Sequence, residues 1–159
     1  IRYPRGTGVM PEWRTPLESI EIGKGRKLQQ GEDLAILSIG TTGNYALTAA
    51  EELKKEGINP SIYDMRFVKP LDEEMLHEVF KNHRHVITVE DGCIMGGFGS
   101  AILEFAADHD YHVNIKRLGI PDRIVEHGDQ PQLHSECNYD AEAIKSTAIH
   151  LMAKSTTLV

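Results

Sequence analysis

The residues Leu34-Ala35-Ile36-Leu37-Ser38-Ile39 form a near-continuous apolar run closed by Gly40. A strand with one wet face alternates apolar and polar residues, so a short unbroken run marks a strand covered on both faces, as in a parallel sheet between two helical layers. A helical pattern follows at once. Over residues 45–56, Ala46, Leu47, Ala49, Ala50 and Leu53 fall at helical spacing, Lys54 and Lys55 occupy the last turn, and Gly57 supplies a left-handed cap. The alternation continues: residues 61–67 read as a strand, and Asp72 caps a helix with Glu73 and Glu74 in its first turn. Residues 85–90 read as the next core strand, 100–107 as a helix, and 113–118 as a further strand. Asp140 then caps a last helix reaching Lys154, with Ala141, Ile144, Ala148, Leu151 and Met152 on its buried side. Strand and helix alternating with short connections specify a three-layer α/β/α sandwich with a mixed, mostly parallel sheet.

Two stretches before the apolar run break the pattern. Pro4, Gly6, Gly8 and Pro11 punctuate the first twelve residues, which read as a linker to a preceding domain. Residues 17–30 alternate apolar and polar side chains across Gly23-Lys24-Gly25, the signature of a hairpin lying at a sheet edge. The expected division is therefore 1–14 as linker and end of a preceding domain, and 15–159 as one α/β domain. A chain of 159 residues is long enough to bury its own core. The opening Ile1-Arg2-Tyr3-Pro4-Arg5-Gly6 is basic and lacks an initiator Met, so the chain is expected to be part of something longer.

Charge and cysteine content narrow the function classes. Seventeen Lys and Arg against 24 Asp and Glu leave a formal charge of −7, a field that repels phosphate backbones and anionic lipid, so neither nucleic acid nor membrane is expected as partner. No stretch approaches the roughly 20 apolar residues of a membrane helix, and no signal-peptide order is seen at the start. Cys93 and Cys137 follow neither a CxxC nor a zinc-finger spacing, which favours a reducing cytoplasm over a disulfide framework or a zinc site.

The segment Gly92-Cys93-Ile94-Met95-Gly96-Gly97-Phe98-Gly99-Ser100 runs from a strand into a helix N-terminus, a place where free backbone N–H groups can hold a phosphate. Its spacing is neither the dinucleotide fingerprint nor the P-loop, no Lys follows the glycines, and Glu90 and Asp91 would repel an anion. The better reading is close backbone packing with Ile94, Met95 and Phe98 as apolar contacts across a subunit interface. The eight histidines show no helical metal-site pair and read as solvated side chains of surface and loops. Ser135 and Cys137 lack a nucleophile-elbow pattern. Arg2 and Arg5 flank Tyr3-Pro4, whose restricted backbone presents two guanidinium groups from a stiff loop. Holding a phosphate and forming a salt-bridged linker are the two readings of that pair.

Four stretches carry a family resemblance: residues 2–6 (RYPRG), 63–72 (YDMRFVKPLD), 89–100 (VEDGCIMGGFGS) and 118–122 (LGIPD). In order and spacing they resemble the last part of 1-deoxy-D-xylulose-5-phosphate synthases, over essentially the whole chain. That resemblance implies a transketolase C-terminal fold of about five strands, the first antiparallel. It implies a homodimeric enzyme that uses thiamine diphosphate and magnesium to decarboxylate pyruvate and join the two-carbon unit to glyceraldehyde 3-phosphate, the first step of non-mevalonate isoprenoid synthesis. The cofactor-binding domains would lie upstream, so neither cofactor nor catalytic residue is expected here and the chain alone is expected to be silent. Arg5 matches the arginine that binds the phosphate of glyceraldehyde 3-phosphate, and Ile94, Met95, Gly96, Gly97 and Phe98 match a region of packing and subunit contact. The rival readings are a dimerisation module, the C-terminal domain of a transketolase or a 2-oxo acid dehydrogenase β subunit, and a free-standing nucleotide-binding α/β protein.

Overall fold

The computed structural model describes Gly8 and residues 16–156. Its elements are β1 (Arg26–Gln29), β2 (Ala35–Ile39), α1 (Thr42–Lys55), β3 (Ser61–Asp64), α2 (Glu73–Asn82), β4 (His85–Cys93), α3 (Phe98–Asp108), β5 (Asn114–Ile120), α4 (Gln130–Glu136) and α5 (Ala141–Thr156). The strands form one sheet in the order β1-β3-β2-β4-β5. β1 runs antiparallel to β3, and the other neighbours are parallel.

The apolar run behaves as its composition requires. Leu34 and Ile36 point into a core shared with Ala46, Ala49, Ala50 and Leu53 of α1 and Ile144, Ala148 and Leu151 of α5. Ala35 and Leu37 point to the opposite core, with Leu76, Val79 and Phe80 of α2 and Phe98, Ile102 and Phe105 of α3. Each of these β2 side chains is fully buried, and covering a Leu or Ile contributes about 1.5–3 kcal/mol. β4 repeats the division, with Ile87 and Val89 on the α1/α5 side and Val86 on the other.

Helix ends follow local chemistry. Gly57 adopts φ 78°, and Ile58 N–H donates to the Leu53 carbonyl, closing α1 in a left-handed cap. Asp140 accepts from the Ala143 N–H at the start of α5. Asp72 accepts from the Met75 N–H through Oδ1 and from the Gly25 N–H through Oδ2, so one buried carboxylate both caps α2 and ties down the approach to β1.

Three details differ from the sequence reading. The hairpin over 17–30 does not form: residues 21–24 make a turn, with Lys24 N–H donating to the Glu21 carbonyl, and β1 pairs with β3, far along the chain. Leu17, Ile20 and Ile22 are left exposed. The alternating pattern signals an edge strand, and the long-range partner wins because Gly25 can approach Met75 and the Asp64 carbonyl where a Cβ would crowd both. The strand expected over 61–67 stops at Asp64, because Arg66 takes φ 57° and turns the chain away. The short helix α4 has no buried residue and so shows no apolar stripe, although Asp129 as N-cap and Pro131 in the first turn are helix-start signals.

Because Asp72 satisfies two separated N–H groups, Asp72→Ala should lower the unfolding free energy by about 2–3 kcal/mol, more than an ordinary cap, and Asp72→Asn by less. Urea unfolding followed by far-UV circular dichroism measures both.

Candidate functional site

The glycine-rich segment is the turn from β4 into α3. Its defining contact comes from the strand. The Glu90 side chain, 5% exposed, accepts the Phe98 N–H on Oε2 and the Gly99 N–H on Oε1, each at 2.8 Å. The N-cap residue, Gly97, has no side chain to offer, so the first N–H groups of α3 are satisfied by a carboxylate eight residues upstream. A negative charge at this end also opposes the positive pole of the helix dipole.

Glycines make the approach possible. A Cβ on Gly97 would collide with the Glu90 carboxylate and the Cys93 carbonyl, and one on Gly119 of β5 would stand 2.9 Å from Glu90 Cγ. On Gly99 a Cβ would meet Thr88 Oγ1 at 2.6 Å. The far side of the loop is held by Arg117 of β5, whose Nη1 donates to the Ile94 carbonyl (2.6 Å) and to Ser100 Oγ (2.9 Å). Ser100 Oγ in turn donates to the Ile94 carbonyl and accepts the Gly96 N–H. A loop pinned at both ends in this way presents Met95 at its tip, 62% exposed, with Ile94 half-buried beside it. Phe98 points inward and is buried in the α2/α3 core, so its side chain serves packing within the chain.

Next to Glu90, the Asp91 carboxylate accepts the Tyr139 hydroxyl at 3.0 Å. Burial, then the Asp91 charge, pushes the Tyr139 hydroxyl well above the ordinary phenol range. Tyr45 of α1 shares a 2.8 Å hydrogen bond with His134 Nδ1 of α4, and burial first, then Asp140 and Asp91, raises its pKa.

The arrangement answers the question of a bound phosphate. The α3 N-terminus already holds an anion, the Glu90 carboxylate, and a second carboxylate follows it. Among the described residues, no three His, Cys, Asp or Glu side chains stand together as a metal ligand set. This turn therefore does not fit a magnesium-bound diphosphate. Arg5, the candidate phosphate ligand, and Arg2 lie outside the described residues.

The solvated reading holds for His109, His112, His127 and His150, which are exposed, and fails for the other four. His77 Nδ1 is bonded to the Tyr111 hydroxyl at 2.8 Å, His134 contacts Tyr45 and Tyr139, His85 is half-buried and His83 is 4% exposed. The contacts of His77 and His134 reach neighbouring elements across the fold, which scattered sequence positions do not reveal. Arg117 was likewise invisible as a loop clamp, since its partners lie 17 and 23 residues away.

Comparison with known proteins is decisive for the family. The profile of the transketolase C-terminal domain matches residues 23–144. The chain belongs to the transketolase C-terminal domain family. Its curated relatives include the 1-deoxy-D-xylulose-5-phosphate synthases of Cytophaga hutchinsonii, 62% identical over 95% of this chain, and of Bacteroides thetaiotaomicron, 52% identical over 91%. This transketolase C-terminal domain spans 24% and 22% of the length of those two relatives. Among solved structures, a split-gene transketolase in an inactive beta4 tetramer superimposes with a TM-score of 0.79 and 29% identity, over 90% of this chain and 46% of the other. A Pichia stipitis transketolase mutant (H261F) matches at TM-score 0.63 and 18% identity, over 85% and 19%, which shows the shared fold alone.

Glu90→Ala leaves two buried N–H groups and a helix end without an acceptor. Its expected cost is about 2–4 kcal/mol of stability, read from urea unfolding, with Glu90→Gln less costly because an acceptor oxygen remains. Gly97→Ala should destabilise by a comparable amount.

Proposed function

We propose that this chain is the C-terminal domain of a bacterial, cytoplasmic 1-deoxy-D-xylulose-5-phosphate synthase. That enzyme is a thiamine-diphosphate- and magnesium-dependent transferase of the transketolase type, which condenses pyruvate with glyceraldehyde 3-phosphate and releases carbon dioxide. The observation that carries the reading is the 62% identity with the Cytophaga hutchinsonii synthase over 95% of the chain. Three further observations support it. The resemblance in residues 63–72 and 89–100 lies in the turns that build the α2 cap and the Glu90 clamp. The glycine-rich turn into α3 is filled by Glu90. No helix among the described residues is long and apolar enough to cross a membrane.

In this reading the domain contributes architecture and one substrate contact. Arg5 holds the phosphate of glyceraldehyde 3-phosphate, at the boundary of the domain that binds the cofactor pyrimidine. Residues 1–14 end that preceding domain, and thiamine diphosphate and magnesium are bound upstream. The chain on its own turns over neither substrate; the solved split-gene transketolase beta4 tetramer, itself inactive, offers a parallel at 29% identity.

The Gly92–Gly99 loop is read as a homodimer contact, with Met95 as the side chain offered and Ile94, Gly96 and Gly97 shaping its base. Phe98 holds that base against the core. The exposure of Met95 on a loop pinned by Glu90 and Arg117 favours this, since a rigid apolar protrusion loses little entropy on docking.

Arg5→Ala in the full-length synthase should raise KM for glyceraldehyde 3-phosphate at least about tenfold, the effect of losing a charge-assisted contact, and leave KM for pyruvate nearly unchanged. Steady-state kinetics with each substrate varied decides it, and an equal rise in both constants would count against the assignment. For the loop, Met95→Asp should shift the full-length protein toward monomer in sedimentation velocity; an unchanged dimer removes the contact from this surface.

A further inference from the structure

His83 is a group that the proposed function does not use. It stands between α2 and β4 as the C-cap residue of α2 and is 4% exposed, with neither ring nitrogen in a well-formed hydrogen bond and the Glu32 carbonyl as the backbone acceptor facing it. Buried polar atoms without a well-formed hydrogen bond are uncommon in folded proteins and call for an explanation. The charged groups facing the ring come from three elements. Lys27 of β1 approaches with its ammonium paired to Glu78 of α2 and 5.5 Å from the centre of the Tyr63 ring on β3. The turn after β1 contributes the Glu32 carbonyl and Asp33. Burial is the largest influence and disfavours the imidazolium. Lys27 acts in the same direction, while the Glu32 carbonyl, Glu78 and Asp33 oppose without overcoming them.

A proton on His83 therefore needs water, and the fold offers one side that opens at low cost. β2 and β4 are buried on both faces. β1 is an edge strand with a single neighbour, and its ladder to β3 slips register between Lys27 and Gln29. The ion pairs Lys24–Glu74, Arg26–Asp64 and Lys27–Glu78 are largely solvent-exposed, each worth little, and Gln29 adds bonds to the Pro60 carbonyl and Lys54. The turn that follows is held more firmly, by buried bonds between Gly31 and Ser61 and by the Glu32 and Asp33 N–H groups donating to the Asn59 carbonyl. An imidazolium at position 83 would also compete with Lys27 for Glu78 and loosen the tie nearest to it.

We propose that His83 is an acid-sensitive latch, whose protonation releases β1 while the parallel strands stay closed. The sign follows from linkage. The protonated form is disfavoured in the closed state, so closure is fully favoured above the ordinary histidine pKa of about 6.5 and weakens as pH falls below it. One proton limits the effect to about tenfold in the opening equilibrium for each pH unit, and to about tenfold in all between about pH 7.5 and 5.5.

Hydrogen–deuterium exchange of the chain, corrected for the pH dependence of intrinsic exchange, tests the latch at these two pH values. Residues 26–29 should open several-fold more readily at the lower pH, with residues 35–39 and 86–89 unchanged. His83→Phe should abolish the difference. Lys27→Met, which removes the nearest cation, should shrink it whatever its effect at about pH 7.5. NMR titration of His83 gives an independent reading and should find the ring neutral at about pH 6.5. A His83 that titrates at or above that value in the folded protein, equal acceleration of 35–39, or an acid response that persists in His83→Phe would overturn the proposal.

Discussion

The bond from Glu90 to the start of α3 is the contact on which the rest of the central layer depends. It joins the carboxyl end of β4 to the helix that covers one face of the sheet, and it does so with a charge placed against the helix dipole in a buried site. Two glycines, Gly97 and Gly119, clear the space that it occupies, and Arg117 holds the outer half of the same loop. A turn shaped like an anion site is in this way filled by the protein's own anion. The geometry that binds phosphate in other α/β proteins serves here to fasten strand to helix.

The rest of the fold is arranged around that centre by burial. β2 and β4 divide their side chains between two cores, and the edges carry the polar and irregular features. One edge is β1, tied by Asp72 and exposed ion pairs, with His83 buried beneath it. Near the opposite side of the sheet the Tyr139–Asp91 and Tyr45–His134 bonds knit α1, α4 and the end of β4 together. The domain is thus firmly pinned where it presents Met95 and more lightly tied at the β1 edge.

Much of this was legible in the residues. The apolar run at 34–39, the cap at Gly57, the carboxylate caps at Asp72 and Asp140 and the alternation of strand and helix are local signals, and each acts over a few residues. The acidic pair at the end of β4 argued against a phosphate at the glycine loop, and the structure supplies the reason in the contact of Glu90 with α3. The hairpin was misread because the edge-strand pattern says nothing of which strand will be the partner. Four histidines are exposed as the sequence suggests, but His77 and His134 are not legible as packed side chains because their partners, Tyr111 and Tyr45, lie 34 and 89 residues away.

By itself the sequence determined the class of the fold, the alternation of its central strands and helices and the family to which the chain belongs. These follow from periodicity, caps and motif spacing, which operate along the chain. Only the tertiary structure decided that β1 pairs with β3, that Glu90 fills the end of α3, that Phe98 turns inward while Met95 turns outward, and that His83 is buried without a well-formed hydrogen bond. Each of those depends on which surfaces meet once two helical layers close over the sheet. Burial and long-range hydrogen bonding, unlike local propensity, exist only after the chain has folded.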